Sequence, residues 1–176
     1  MKIKFSEEEI AEAVDLAIAR HEAKNNFIKN RHILGAFKES SLESLFSDKR
    51  HKHHFIGILG EMAYAKYTNQ QIDKNIYALR DTGADVGEVE VKTSTWMGDD
   101  VELKVTKAHF ESKKPKKYVL VRIDENNYTE AELLGEITRN KFSKVKKEKC
   151  YGINKYNGSL LPMNYIVGLK HLSKYE

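Results

Sequence analysis

Apolar residues recur at helical spacing in two stretches of the chain. Over residues 6–24, Ile10, Val14, Ala17, Ile18 and His21 share one face, which predicts an amphipathic helix. Ser6 stands at the N-cap with Glu9 three residues on, the pair that closes a capping box. The leading acids also suit the positive end of the helix dipole. No chemistry is expected on this helix, only packing or a partner surface. Over 54–70, Phe55, Ile58, Leu59, Met62 and Ala63 form a second apolar face. Gly57 and Gly60 weaken that helix by up to about 1 kcal/mol each relative to alanine, so another element is expected to pass close to them. Residues 25–54 are less regular and read as one or two short helices and a basic loop.

Further on, the period changes from helical to two. "NIYAL" (75–79) and "EVEVKTST" (88–95) alternate in the manner of strands, with the turn-like "DTGADVG" between them. "DVELKV" predicts a third strand, "TKAHFES" a short helix, and "KKYVLVRID" (116–124) the most buried strand of the chain. "DENN" then turns the chain into a last strand, "TEAELLGEIT". This order predicts an α/β (α+β) architecture, a mixed central β-sheet flanked by helices. The length of 176 residues suits one domain. Within it we expect an N-terminal helical extension over about 1–50, a core over about 53–140 and a basic segment over about 141–176.

Composition narrows the picture. Hydrophobic residues make up 40% and charged residues 32%, so the chain is polar but globular. The net charge is only +4, from 30 Lys+Arg against 26 Asp+Glu, so the placement of charge matters more than its sum. Such a balance permits an anionic partner without demanding one. Cys150 is the one cysteine, which excludes an internal disulfide and suits a reducing cytoplasm, that of a bacterium or a phage-infected host. No apolar run approaches the roughly 20 residues that span a bilayer, and the acidic start is unlike a signal peptide, so no membrane partner is expected.

The densest chemistry lies in "DTGADVGEVEVKTST". On a strand, Val89 and Val91 share one face and Glu88, Glu90, Lys92 and Ser94 the other. A tight turn at Val86-Gly87 folds Asp85 back beside Glu90. Two carboxylates about 4 Å apart repel by roughly 1 kcal/mol in water and about 4 kcal/mol at an effective dielectric of 20. Either Lys92 offsets this on a solvated strand face, or a divalent cation does. Oxygen donors of this kind suit Mg²⁺ or Mn²⁺, with the Val91 backbone carbonyl as a further ligand. Such a site fits phosphodiester hydrolysis, in which the cation activates water and Lys92 steadies the water or the anionic transition state.

Together, "GILGEMAYAKY", "GADVGEVEVKTS" and "KYVLVRID" resemble the PD-(D/E)xK nuclease superfamily, which includes restriction endonucleases and Holliday-junction resolvases. The resemblance spans roughly residues 54–124. Ala84 stands where the name-giving motif has proline, and the interval from Asp85 to Glu90 is short. What the resemblance implies is a restriction-endonuclease-like core and a Mg²⁺- or Mn²⁺-dependent (endo)deoxyribonuclease. Its site would be Glu61, Asp85, Glu90 and Lys92. Asp85 and Glu90 would hold the metal, and Glu61 would bind a second metal or act through water. Duplex or branched DNA would be the partner. A homodimer would form through the N-terminal helix. The alternative is a catalytically idle module of the same fold that binds nucleic acid or protein.

Other features fit either reading. Ser94 and the lysines of "KKPKK" (Lys113, Lys114, Lys116 and Lys117) would contact a DNA backbone if the sheet places them near the site, and otherwise form a plain strand end and an exposed basic turn. "HKHH" (51–54) lacks the spacing of a structural zinc site and reads as a basic loop opening the second helix. Trp96 with Met97 suits a core contact or a wedge beside the substrate. The lysines and tyrosines after residue 140 suit a nucleic-acid surface or a solvated face.

Overall fold

A computed structural model describes residues 1–25, 49–76, 84–153 and 160–175. The chain opens with β1 (Lys2–Lys4), followed by α1 (Glu7–Asn25) and α2 (Lys49–Thr68). Next come β2 (Val89–Ser94), β3 (Glu102–Thr106), α3 (Lys107–Ser112), β4 (Lys117–Asp124) and β5 (Asn127–Thr138). The last elements are α4 (Arg139–Val145), β6 (Lys147–Lys149), β7 (Asn164–Gly168) and a 3-10 turn (Leu169–His171). The class is α+β. No helix among the described residues is long and apolar enough to cross a membrane.

Four strands form a mixed sheet in the order β1-β5-β4-β2, in which β2 runs parallel to β4 and the other pairs are antiparallel. A second, antiparallel sheet has the order β3-β7-β6. β4 explains the stacking of these layers. Its Val119, Val121 and Ile123 face a core shared with Ala13 and Ala17 of α1 and Phe55, Ile58, Leu59 and Ala63 of α2. Its Tyr118 and Leu120 face a second core with Leu103, Val105, Phe142, Tyr165 and Val167. A strand buried on both faces reads as a continuous apolar run, as "YVLV" does. The mixed sheet is thus the middle layer, with α1 and α2 on one side and the second sheet, α3 and α4 on the other.

The capping box of α1 is present: Ser6 N–H donates to Glu9 Oε2 at 2.7 Å, and Glu9 N–H donates to Ser6 Oγ at 3.3 Å. Thr106 and Thr138 cap α3 and α4 in the same way, each hydroxyl accepting from a backbone N–H three residues on. Small residues Ala13 and Ala17 let α1 lie against α2, so the face expected to join two copies of the chain is buried within one copy. The strands expected over 88–95, in "DVELKV", over 116–124 and in "TEAELLGEIT" are all formed, as is the short helix of "TKAHFES".

Three expectations change. α2 begins at Lys49, so "HKHH" is helix and not loop. There the His51 and His54 rings pack on His21 of α1, with centroids 4.1 and 5.8 Å away. Residues Asn75 and Ile76 form no strand, and the remainder of "NIYAL" lies outside the described residues, as do residues 26–48. Finally, the two chain ends are built into the sheets: β1 pairs with β5, while β6 and β7 pair with each other and β7 with β3.

Candidate active site

β2 is the edge strand of the mixed sheet, so elements from both outer layers can reach around it. They enclose a cavity of about 690 Å³ whose wall includes Glu61 of α2, Asp85, and Glu90, Val91 and Lys92 of β2. The structure therefore brings all four residues of the expected constellation to one place. Ser94, Thr93, Gly57 and Lys113 also line it.

A tight turn sets Asp85 against β2. Val86 and Val89 exchange backbone hydrogen bonds of 3.1 and 2.9 Å across it. Gly87 takes a φ of 57°, a left-handed conformation that glycine adopts without a Cβ penalty. Asp85 Oδ2 then accepts a 2.7 Å bond from the Val91 N–H. Its Oδ1 has no hydrogen-bond donor among the described residues.

Glu90 is 2% exposed. The charged face of β2 is therefore not a solvated face, because the second sheet and α3 cover it. Two lysines meet this carboxylate: Lys92 Nζ is 2.5 Å from Oε1, and Lys113 Nζ is 3.4 Å from Oε2. Lys113, expected in an exposed basic turn, is itself buried at 6% exposure. The rest of "KKPKK" disperses. Lys114 lines a neighbouring cavity of about 390 Å³ with Gly87 and Glu90. Lys116 pairs with Glu88 at the surface, and Lys117 pairs with Glu136 at 2.9 Å on β4 and β5.

Glu61 shows a role for α1 that its sequence hid. Arg20 Nη1 is 3.0 Å from both Glu61 oxygens, and Arg20 Nη2 donates to the Asp73 carbonyl at 2.5 Å. α1 thus adds a charged contact to its packing face. Arg20 lies one turn beyond Ala17 on the helix that packs on α2. The pairing joins residues 41 apart, and no local spacing marks it.

Electrostatically, burial governs two of the site's acids, Glu61 and Asp85. Burial, and then the Asp85 charge, push the Glu61 carboxyl up to about 8 despite Arg20. Burial, and then Glu90, push Asp85 up to about 6 despite Lys92. Among the described residues the cavity wall holds five carboxylates (Glu61, Asp85, Glu90, Glu102 and Glu125) and four lysines (Lys52, Lys92, Lys104 and Lys113), and Arg20, paired with Glu61, makes a fifth cation. A bound cation would favour the ionised form of both acids.

The donor set suits a hard cation, since it offers Asp85 Oδ1, the lone pairs Glu90 keeps beyond its two lysines, and backbone oxygen. The side chains as they stand pair with nitrogen donors, and no group of three or more His, Cys, Asp or Glu among the described residues is arranged around a common metal point. No family model, curated protein or solved structure matches the chain.

Proposed function

We propose that the chain is a Mg²⁺- or Mn²⁺-dependent nuclease with a restriction-endonuclease-like core, hydrolysing phosphodiester bonds in DNA. One observation carries this reading. Three acids from separate segments, Glu61, Asp85 and Glu90, share a cavity with Lys92, and burial raises the proton affinity of two of them. A cation placed between these acids would favour their ionised form and offset the charge of a bound phosphate. That is the electrostatic condition of metal-assisted phosphoryl chemistry.

Asp85 and Glu90 would hold the cation with the Val91 carbonyl, and Glu61 would hold a second one or orient water. When bound, the cation supplies Lewis acidity toward a phosphoryl oxygen and lowers the proton affinity of water. Lys92 then has two tasks that need no change of position along β2. Its ammonium holds the attacking water, and it offsets charge growing on the phosphoryl oxygens. Lys113 keeps the Glu90 carboxylate oriented from the opposite side. Water oxygen bonds to phosphorus, one ester P–O bond breaks, and the products are a phosphomonoester and a free hydroxyl.

A second reading has an observation of its own. Each acid already accepts from a nitrogen donor: Glu61 from Arg20, Asp85 from Val91, and Glu90 from two lysines. A catalytically idle scaffold that binds nucleic acid would look the same.

The deciding experiment is cleavage of plasmid, linear duplex, single-stranded and branched DNA with Mg²⁺ or Mn²⁺, beside Lys92→Ala and an EDTA control. We expect the wild type to cut, and EDTA and Lys92→Ala to abolish cutting. Binding of DNA with no cleavage of any substrate transfers the chain to the second reading.

A further inference from the structure

Beyond the cavity, β2 runs into a short loop that presents the chain's one tryptophan. Trp96 is 59% exposed and Met97 53%. Neither is the core residue its type suggests. The two residues before them, Ser94 and Thr95, line the cavity, so the apolar pair stands at its rim.

The loop is held in place. Trp96 Nε1–H donates to Asp100 Oδ1 at 2.6 Å, the Trp96 backbone N–H donates to Ser94 Oγ at 3.2 Å, and Arg122 Nη2 donates to the Gly98 carbonyl at 3.2 Å. A methyl group at Gly98 would lie 2.6 Å from both Trp96 Nε1 and Asp100 Oδ1, so glycine is required for the ring to dock by its edge. The indole is thus tethered by its polar edge while much of its surface stays in water. A large apolar surface kept exposed on a fixed loop is a mark of a binding site.

We propose that Trp96, with Met97 beside it, stacks on an unpaired base of a single-stranded or frayed DNA segment whose phosphate lies in the cavity. This rests on the nuclease reading for the position of the phosphate. Three features select a base. The exposed apolar area is one indole and one thioether, the size of a base and far below the roughly 800 Å² per partner of a stable protein interface. The adjacent Asp99 and Asp100 repel phosphates, so the loop tip offers a neutral ring and not a cation to the nucleic acid. The cavity next to it begins within two residues, the scale of one nucleotide step. Stacking on an aromatic face tolerates any base, so the site would select unpaired structure over sequence.

Because Trp96 is the only tryptophan, its fluorescence reports this contact directly. Single-stranded DNA and an abasic strand of equal length and charge are titrated with Mg²⁺ into the full chain carrying Lys92→Ala, in which cleavage does not interfere. We expect the base-bearing strand to quench the emission strongly and the abasic strand to leave it near its starting value. In fluorescence anisotropy with a labelled strand, Trp96→Ala should bind about tenfold more weakly and Trp96→Phe within about threefold of wild type. Equal quenching by both strands, no quenching by either, or unchanged affinity in Trp96→Ala overturns the proposal. Unchanged affinity together with quenching by a protein extract fraction would instead mark a protein contact. The nuclease reading fails separately: it is lost if no metal supports cleavage, and survives if cleavage occurs without quenching.

Discussion

Gly60 of α2 lies directly against Thr93 of β2, and a methyl group at Gly60 would stand 2.2 Å from the Thr93 hydroxyl. This contact fixes the distance between the helix that carries Glu61, the next residue, and the strand that carries Glu90 and Lys92. The Thr93 hydroxyl is buried there without a hydrogen-bond partner among the described residues. The threonine is stiff at χ1, so it yields poorly.

Gly60→Ala is expected to destabilise the protein by about 1–3 kcal/mol through overpacking, even though alanine favours the helix. Thr93→Ala removes the hydroxyl that clashes, so the double variant should recover most of the loss. Urea denaturation of the four proteins measures the coupling. Strictly additive effects would show that the two residues do not press on each other.

Gly57, one turn earlier, behaves in the opposite way. Among the described residues a methyl group there meets nothing within 4 Å, and the residue lines the cavity. Gly57→Ala should therefore raise stability by up to about 1 kcal/mol, visible as a higher melting temperature. A drop in melting temperature would mean that α2 is more tightly covered than the structure shows.

The two glycines mark where the sequence was readable and where it was not. Their presence in a helix signalled close approach, and at Gly60 the approaching element is β2. At Gly57 no described residue comes within reach of an added methyl group. Within β2, Glu90 and Lys92 were legible because a period of two is local. Asp85 was legible because a glycine turn is local too. What faced Glu90 was not local. The layer that buries it is built partly from β7, which lies more than seventy residues further along the chain. A lysine in "KKPKK" reads as solvated until that layer exists, and so Lys113 was misplaced. The start of α2 was missed because Lys49 to His54 lacks an apolar face, although Asp48, a preferred N-cap residue, directly precedes it.

Arg20 and Glu61 form a partly buried pair, with side chains 20% and 10% exposed. Stripping one partner from a buried pair costs about 3–5 kcal/mol. For Arg20→Met that is an upper bound, because Glu61 can take up a proton in place of the cation. Glu61→Gln should then rescue much of the loss in the Arg20→Met background, since the amide needs no counter-charge. Denaturation of both single variants and the double variant checks this. A double variant no more stable than Arg20→Met would place the role of Arg20 elsewhere, in its bond to the Asp73 carbonyl.

The raised carboxyls also set how stability depends on pH. Unfolded, Glu61 and Asp85 titrate near pH 4. Folded, they hold their protons up to about 8 and about 6, owing first to burial. Between these limits the folded state binds more protons than the unfolded one, so stability falls as pH rises. The contribution is complete below about pH 4, where both states are protonated, and is lost as pH passes through 6 and then 8. Its size is on the order of a few kcal/mol. Glu125, held below its usual range by the Lys52 hydrogen bond, acts in the opposite sense. That pair is near the surface, where solvent screens it and its contribution is small. Melting temperatures in EDTA from pH 5 to pH 8.5 should therefore decline, and Asp85→Asn and Glu61→Gln should each flatten the decline. Added Mn²⁺ binds the ionised acids, so its stabilising effect should grow with pH over the same range. A metal effect independent of pH would mean that the cation binds away from Asp85 and Glu61.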